Sequence, residues 1–290
     1  MERIYFDNAA TTPIDAEVLE AMLPFFKEQF GNPSSIYSYG RETRMAIEKA
    51  RKSIAALLGA KPAEIFFTSG GTESTNTVLH AAVTDLGCKH IISSPIEHHA
   101  TLHTVTYLAK AHQVKLSYVN ILPNGHIDFN QLEELLINSA EKTIVTIMHA
   151  NNEIGNCISL NEVGALCKKH NAYFHSDTVQ TVGHFNFDLK NIPVDFITAA
   201  GHKFHGPKGT GILYINENIK INPFLHGGAQ ERNMRAGTEN VYGIVGFAKA
   251  LELSTQNHDK DKEYISGLKK YMYDSLVENI PTVSFNGDPF

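Results

Sequence analysis

The sequence predicts an α/β fold in which a mainly parallel central sheet carries helices on both faces, followed by the start of a truncated, smaller C-terminal domain. Three observations support this prediction. Helical and strand-like patterns alternate along most of the chain, short polar motifs directly follow several strands, and the composition becomes polar after Lys249. The 290 residues, 42% of them hydrophobic, are enough to bury a substantial core.

The alternation begins at the N-terminus, where a short apolar strand is predicted at residues 4–6. Asp15 is predicted to cap a helix that continues to about Gln29, and a second helix is predicted over 41–58, before Gly59. The later predicted elements are strands at 64–68 and 90–95, a helix at 101–111, a strand at 114–119, a helix capped by Asp128, a strand at 143–150, a helix at 160–170, and strands at 172–177, 195–200 and 211–215.

The chain changes character after Lys249. The segment "STQNHDKDKEY" is polar, an amphipathic helix is predicted to end near Leu276, and "TVSF" (282–285) is typical of a strand. We therefore predict an N-terminal arm at 1–14, a large cofactor-binding α/β domain at 15–250, and the beginning of a truncated C-terminal small domain at 251–290.

Residues suited to bind a ligand follow five of the predicted strands. Ligands of parallel α/β sheets bind beyond the carboxyl ends of the strands, and those ends share one edge of the sheet. The residues in question are Gly70 and Gly71, Glu97 and His98, Asn151 and Asn152, Asp177, and Lys203. Their convergence on one edge predicts a single site.

Composition argues against several classes of protein. The formal charge of −6 and the lack of any Lys/Arg-rich block argue against nucleic-acid binding. No apolar run has the length of a membrane span, and the first residues lack the apolar region of a signal peptide. The three cysteines, Cys88, Cys157 and Cys167, include no C-x-x-C pair, which argues against a disulfide framework or a structural zinc site. A reducing cytoplasm is therefore the expected location.

The motif "TSGGTE" combines a strand end, two glycines and a helix start. Free backbone N–H groups and the positive end of the helix dipole make such a turn a phosphate site, with the Thr72 hydroxyl as a further donor. Gly71 lets the backbone approach the anion closely. An ordinary tight turn with Thr72 as the N-cap fits the motif equally well. The motif is not a dinucleotide fingerprint, because G-x-G-x-x-G is absent.

Three titratable residues could work at this edge. Lys203, in a segment poor in carboxylates, would have a depressed pKa if desolvated and could form a Schiff base, whereas Lys208 suits the turn before the next strand. Asp177 could hold a protonated ring nitrogen, and His98 could stack on a planar ligand or transfer protons. The alternatives are solvated loop lysines, an aspartate that caps a helix, and a surface histidine. Together with the glycine turn, these residues describe a site for pyridoxal phosphate.

Eight motifs carry a resemblance to a known family. They occur in the family's order between Tyr5 and Asn240: "YFDNAATTP", "GNPSSIYSYG", "TSGGTES", "EHHA", "HANNEIG", "HSDTVQTVG", "GHKFHGPKGTG" and "HGGAQERNMRAGTEN". With them the sequence resembles the pyridoxal phosphate-dependent cysteine desulfurases of the class V aminotransferase-like family, which supply sulfur for iron–sulfur cluster assembly. The resemblance implies the type I pyridoxal phosphate fold and conversion of L-cysteine to L-alanine, with the sulfur left as an enzyme persulfide.

The resemblance also implies a role for individual residues. Lys203 would bind the cofactor and transfer protons, and His98 would stack on its ring and assist proton transfer. The other implied cofactor contacts are Asp177 at the pyridine nitrogen, Gln180 at the ring hydroxyl, Asn152 near ring and substrate, and Gly71, Thr72, His202 and Thr238 at the phosphate. Thr238 would reach the cofactor of a neighbouring subunit, which implies a homodimer with shared sites. A sulfur-acceptor or iron–sulfur scaffold protein is the implied partner.

The sequence departs from the family pattern in two places. The family usually has a serine that donates to the phosphate three residues before the lysine, and this chain has Ala200 there. The family's sulfur-accepting cysteine lies on a mobile C-terminal loop, ahead of the arginine that binds the substrate carboxylate, and neither lies within these 290 residues. Cys167 and Cys88 are expected to be structural, and Cys157, although expected near the ligand edge, lacks a flexible loop to carry it. We therefore expect the 290-residue chain to be inactive in turnover.

Two alternative functions remain open at this point. One is a related class V lyase or aminotransferase, such as a selenocysteine lyase, which the sequence distinguishes weakly because the reaction type in this fold depends heavily on the missing C-terminal segment. A catalytically silent scaffold subunit is the second alternative. The presence of Lys203, Asp177 and His98 together argues against it, because such a subunit has no chemical need for all three.

Overall fold

The computed structural model describes residues 3–289, so the outermost positions of the predicted arm (residues 1 and 2) and of the predicted C-terminal segment (residue 290) lie outside the described residues. Seven α-helices lie within the described range: α1 (Ala16–Lys27), α2 (Ser38–Leu57), α3 (Gly71–Thr84), α4 (His99–His112), α5 (Phe129–Ile137), α6 (Leu160–Lys169) and α7 (Val241–Asn279). The strands described are β1 (Ile65–Thr68), β2 (His90–Ser93), β3 (Lys115–Tyr118), β4 (Thr143–Thr146), β5 (Tyr173–Asp177), β6 (Phe196–Ala200) and β7 (Gly211–Ile215).

The strands form one sheet in the order β1-β7-β6-β5-β4-β2-β3. The neighbours from β6 to β3 all pair in parallel, whereas β7 is antiparallel to both β1 and β6. Because β7 alone is reversed, β1 runs in the same direction as β6, and its carboxyl end lies at the same edge. The predicted mainly parallel sheet is thus confirmed, and five strand ends meet where the sequence predicts a site.

Helices cover both faces of this sheet. On one face α3 and α4 pack on alternate strand residues such as Ile91, Ile144 and Phe196. On the other face α1, α2, α5, α6 and the first part of α7 pack on the intervening residues, such as Val145 and Ile197. The alternation of strand side chains between two apolar cores explains why the strands read as nearly continuous hydrophobic runs.

The predicted helix caps agree with the structure. The Asp15 carboxylate accepts a hydrogen bond from the Glu17 N–H, and Asp128 accepts from the N–H groups of Asn130 and Gln131. Each carboxylate satisfies a donor that has no partner within its helix. The second helix begins at Ser38, earlier than the predicted 41.

Three local predictions are wrong. Residues 4–6 form no strand and are exposed. Residues 282–285 form no strand either. The helix expected after the polar segment begins earlier, because α7 is one helix of 39 residues that includes this segment. Its polar residues are compatible with an exposed helix, and its buried residues all precede Glu252. The division into domains at 250 stays a prediction.

Candidate active site

A cavity of about 490 Å³ lies at the carboxyl edge of the sheet. Eight of the nine predicted site residues line it: Gly71, Thr72, His98, Asn152, Asp177, Gln180, His202 and Lys203. The ninth, Thr238, lines a separate cavity of about 160 Å³. The volume of the larger cavity falls within the range of small-molecule and cofactor sites.

Lys203 follows β6 through a single 3-10 turn, Gly201–Lys203, which directs the residue to the sheet edge. Its Nζ donates hydrogen bonds to the carbonyl oxygens of Ala9 and Ala10, the latter at 3.0 Å. Burial lowers the pKa of Lys203, although the negative charges of Asp177 and Asp7 oppose that shift. A desolvated amine with a depressed pKa is more readily deprotonated, which a nucleophilic lysine requires.

Lys208 has a different setting. It is exposed and lies in a turn with Gly209, whose φ is +72°, immediately before β7. It borders a cleft of about 380 Å³ that adjoins the main cavity and shares Gly71, Thr72 and His202 with it. Lys208 therefore lies beside the site, while Lys203 lines the main cavity.

Asp177 is the last residue of β5 and is only 6% exposed. Its Oδ1 accepts a hydrogen bond from the Val179 N–H at 2.9 Å. Burial raises the pKa of Asp177, against the opposing effects of that N–H, His98 and Lys203. A cationic ring N–H bound beside the carboxyl would stabilise its ionised form and be stabilised in return.

His98 is the N-cap residue of α4, and its Nδ1 accepts a hydrogen bond from the Ala100 N–H at 3.1 Å. With Nδ1 as an acceptor, the proton of the neutral imidazole resides on Nε2. The ring is exposed to the cavity. The backbone of α4 thus selects a tautomer that can donate a hydrogen bond or a proton.

The first turn of α3 has backbone N–H groups suited to bind an anion. Its N-cap residue, Gly70, has φ +150°, and among the residues described no side chain caps the helix. Thr72 is exposed. Gly71 lies so close to Val179 that a Cβ at position 71 would be 2.6 Å from a methyl carbon of Val179. Uncapped N–H groups at a helix start attract a negatively charged ligand.

The remaining predicted residues also have partners. The Asn152 side-chain amide donates to Glu153 Oε1 at 2.7 Å, and Gln180 Nε2 donates to the Ala9 carbonyl at 3.0 Å. His202 Nδ1 lies 3.1 Å from the Thr11 hydroxyl, and burial lowers the pKa of His202 together with the charges of Lys203 and Lys208. These contacts hold the three side chains at the rim of the cavity.

The N-terminal arm contributes more to the site than the sequence predicts. Asp7, Ala9 and Ala10 line the cavity, and the Thr12 N–H donates to the His202 carbonyl at 2.9 Å. The motif "YFDNAATTP" marks this segment in the sequence, but its role depends on contacts between residues about 190 positions apart. Periodicity and strand-end position give no indication of such contacts.

Thr238 lies on a loop with unusual backbone geometry. Glu231 and Arg232, which precede it, have φ of +44° and +58°. The left-handed conformation costs about 1–2 kcal/mol for each non-glycine residue. Such a turn persists only when surrounding contacts hold it, and the contacts of Glu231 with the core meet that requirement.

Glu97, which the sequence places among the residues at this edge, and His175 are both buried beside the site. Burial raises the pKa of Glu97 to about 8, although the Met148 N–H and the Ser94 hydroxyl both donate to its Oε1. Burial lowers the pKa of His175 to about 3. Burial therefore favours the neutral form of both side chains.

Two of the three cysteines, Cys88 and Cys167, are buried, as the sequence predicts. They lie in the two apolar cores, and burial raises the pKa of each thiol. Cys157 is partly exposed, and burial raises its pKa as well. None of the three lines the cavity.

Residues 3–289 contain no group of three or more potential metal ligands, and no helix among them is long and apolar enough to cross a membrane.

Comparison with known proteins gives consistent matches. The model of the aminotransferase class-V family matches residues 4–289. A cysteine desulfurase IscS of Dictyoglomus turgidum is 46% identical, over 98% of this chain and 72% of that protein. A putative cysteine desulfurase, IscS 1 of Bacillus subtilis, is also 46% identical, over 99% of this chain and 76% of that protein.

Solved structures agree. A NifS-like protein superimposes with a TM-score of 0.91 at 40% identity, covering 96% of this chain and 76% of its own. SspA in complex with cysteine superimposes with a TM-score of 0.82 at 35% identity, covering 86% of this chain and 72% of its own.

The fold and the site define a pyridoxal phosphate-dependent enzyme of type I fold, and the chain belongs to the class V aminotransferase family. Within that family it is a cysteine desulfurase. The residues of the cavity fit the cofactor, because an amine, a buried carboxyl and an uncapped helix start lie around one space of suitable volume.

Proposed function

We propose that the protein removes the sulfur of L-cysteine, releases L-alanine and leaves the sulfur as a persulfide for iron–sulfur cluster assembly or another sulfur-requiring biosynthesis. The observation that carries this proposal is the cavity that gathers Lys203, Asp177, His98 and the start of α3. The complex of the structurally similar SspA with cysteine supports the choice of substrate.

Pyridoxal phosphate, when bound, supplies an electron sink conjugated to the α-carbon of the substrate. Lys203 would hold the cofactor covalently, and its Nζ would move a proton at the α-carbon of the substrate. Burial lowers the pKa of Lys203, which favours the unprotonated amine that a base requires. The Ala9 and Ala10 carbonyls limit the positions that Nζ occupies.

His98 would stack on the cofactor ring and exchange a proton with the substrate sulfur through Nε2, because Nδ1 already accepts a hydrogen bond from α4. Asp177 would pair with the pyridine nitrogen and favour its protonated form. Gln180 would contact the ring hydroxyl, and Asn152 would lie near the substrate.

The phosphate would be held at the start of α3 by Gly71 and Thr72, with His202 from the β6 turn. Thr238 completes the phosphate site from the partner subunit of a homodimer. Large exposed hydrophobic residues that share a surface cleft with Thr238 support such an interface. Phe26 is 51% exposed and Phe30 is 69% exposed.

Transfer of the sulfur requires a thiolate within reach of the substrate. Cys88 and Cys167 are buried and Cys157 lies outside the cavity lining, so we propose that the 290-residue chain by itself binds cysteine without sustained turnover. The sulfur acceptor would be another protein, of the sulfur-carrier or iron–sulfur scaffold type, and the location would be cytoplasmic.

The test is covalent attachment of pyridoxal phosphate to Lys203. Purified protein is incubated with the cofactor, reduced with borohydride and digested, and mass spectrometry locates the adduct. We expect a near-visible absorbance band and a reduced adduct on Lys203. Lys203→Ala should abolish both, while Lys208→Ala, the matched control in the neighbouring turn, should retain both.

An adduct on Lys208, or a band that persists in Lys203→Ala, would contradict the assignment. The same preparations are then given L-cysteine under reductant, and alanine and sulfide are measured. Sustained sulfide release by the 290-residue chain would contradict the proposed lack of turnover and leave the cofactor assignment intact.

A further inference from the structure

A buried arginine holds the loop that carries Thr238. Arg51, on α2, is 2% exposed, and its Nη1 and Nη2 donate hydrogen bonds of 2.8 Å to the two carboxylate oxygens of Glu231. Glu231 Oε2 also accepts the Phe67 N–H at 2.8 Å. The Glu231 side chain is therefore fixed from two sides within the core.

The backbone beside this pair is strained. Glu231, Arg232 and Asn233 have φ of +44°, +58° and +65°, and the first two are residue types that rarely adopt such values. A left-handed turn of this kind needs an anchor to persist. The Arg51–Glu231 pair provides one, and Arg232 adds a second through its hydrogen bond to the Ile65 carbonyl at 2.7 Å.

Hydrogen bonds also hold the loop residues between the turn and Thr238. Arg235 donates to both carboxylate oxygens of Glu73, at 2.8 and 3.0 Å, and the Gly237 N–H donates to Gln230 Oε1 at 3.1 Å. Thr238 is exposed. These hydrogen bonds fix the backbone that leads to Thr238.

We propose that Arg51 is a positioning residue: through Glu231 it holds the left-handed turn that presents Thr238 to the phosphate bound in the partner subunit. The inference rests on the proposed function, in particular on a homodimer with shared sites. Neither Arg51 nor Glu231 lines the cavity, so their pairing acts on the cofactor only through other residues.

A competing route runs through the same subunit. Arg51 Nη1 donates to the Ile65 carbonyl at 2.8 Å, and β1, which begins at Ile65, leads to the glycine turn of its own cavity. If Arg51 acted along β1, its replacement would weaken the cofactor site of the same subunit. If it acts through Thr238, the site of the other subunit is weakened. The two routes predict effects on different subunits.

Mixed dimers distinguish the two routes. One subunit keeps Lys203 and the other carries Lys203→Ala, so only one site holds the cofactor covalently. Arg51→Lys, which keeps the charge but loses the planar fork, is placed in either subunit. The rate of loss of lysine-bound cofactor is followed by near-visible absorbance in the presence of a trap for free pyridoxal phosphate.

We expect loss about tenfold faster when the substitution is in the subunit that lacks Lys203, the effect of one modest hydrogen bond. The same substitution in the other subunit should change the rate less than about twofold, an effect too small to represent a lost hydrogen bond. The absorbance maximum should be unchanged, since Asp177 and Lys203 are not touched. Lys61→Ala, which removes an exposed ion pair with Glu217, is the control and should have no effect.

Faster loss only within the substituted subunit would assign the effect to β1 and overturn the proposal, as would unchanged rates in both arrangements. A protein that binds the cofactor as a monomer would overturn it too, because no shared site would exist. If the reference dimer never attaches the cofactor to Lys203, the proposed function itself fails.

A second variant covers the case in which Arg51→Lys does not fold. Arg51→Met combined with Glu231→Leu removes both charges together and leaves no unpaired charge in the core. It should fold and show the same faster loss from the other subunit. Retention at the wild-type rate in this double variant would overturn the proposal.

Discussion

A serine at position 200 is expected to bind the phosphate of the cofactor more tightly than the native alanine does. Ala200 ends β6, is 3% exposed and lines the cavity beside Gly71 and Thr72. It is also the N-cap residue of the 3-10 turn that carries Lys203, and it provides no side-chain cap. Its φ of −138° and ψ of 128° are extended, as is usual for a capping serine.

The expected gain follows from one added hydrogen bond. A hydrogen bond to a charged group contributes about 1.5–3 kcal/mol. Part of this is offset, because without the phosphate the new hydroxyl can cap the 3-10 turn instead. We expect a net gain of about 1–2 kcal/mol, or roughly five- to thirtyfold tighter binding.

The assay uses Lys203→Ala as the background, so that equilibrium binding is measured without the covalent bond. Pyridoxal phosphate and pyridoxal, which lacks the phosphate, are titrated by fluorescence into proteins with and without Ala200→Ser. Only the phosphate form should bind more tightly. Ala199→Ser, whose side chain lies in the apolar core instead, is the matched control and should lose stability with no gain in binding. An equal gain for both ligands, or no gain, would refute the reasoning.

Three further predictions concern stability. Burial lowers the pKa of His175 to about 3, so the side chain stays neutral in the folded protein. As pH falls from 8 to 5, the free energy of unfolding should decrease by roughly 2 kcal/mol, because the unfolded state takes up a proton that the native state does not. In His175→Gln, urea unfolding at the two pH values should show a smaller change in this free energy. Glu97, with a pKa of about 8, should give the opposite pH dependence. Between pH 4.5 and 7 the free energy of unfolding should fall by about 3 kcal/mol, because only the unfolded state ionises. Glu97→Gln should remove that loss, and an unchanged pH dependence in this variant would contradict a neutral carboxyl. Gly211→Ala would place a Cβ 2.5 Å from the Ala199 carbonyl oxygen and 2.6 Å from the Gly70 Cα. This variant should lower the free energy of unfolding, measured by chemical denaturation, by about 1–3 kcal/mol and should weaken cofactor binding. Gly267→Ala, in the exposed part of α7, is the control and should be neutral or stabilising.

Most of the site could be predicted because its residues follow strands directly. The position of Asp177 or Lys203 after an apolar run specifies the sheet edge, and a mainly parallel sheet brings such ends together. The cap at Asp15 could be predicted for a similar reason, since its effect is local.

The misses have a common physical origin in contacts distant along the chain. The apolar residues at 4–6 have no neighbouring strand to pair with, and the arm binds residues 202–205 instead. The strained turn at Glu231 depends on Arg51, 180 positions away. The length of α7 has a local cause instead. Its first turns are buried in the core, and the polar stretch that follows contains no proline, so the helix continues through it.

The hydrogen bonds between the N-terminal arm and the β6 turn have a consequence for the order of folding. They join residues about 190 positions apart, so the entropy of closing that loop opposes them until the sheet between has formed. Local elements such as α3 and α4 can assemble well before this closure. The carbonyls that position the Lys203 amine are therefore expected to arrive last, and the chain becomes competent to capture its cofactor only in the final step of folding.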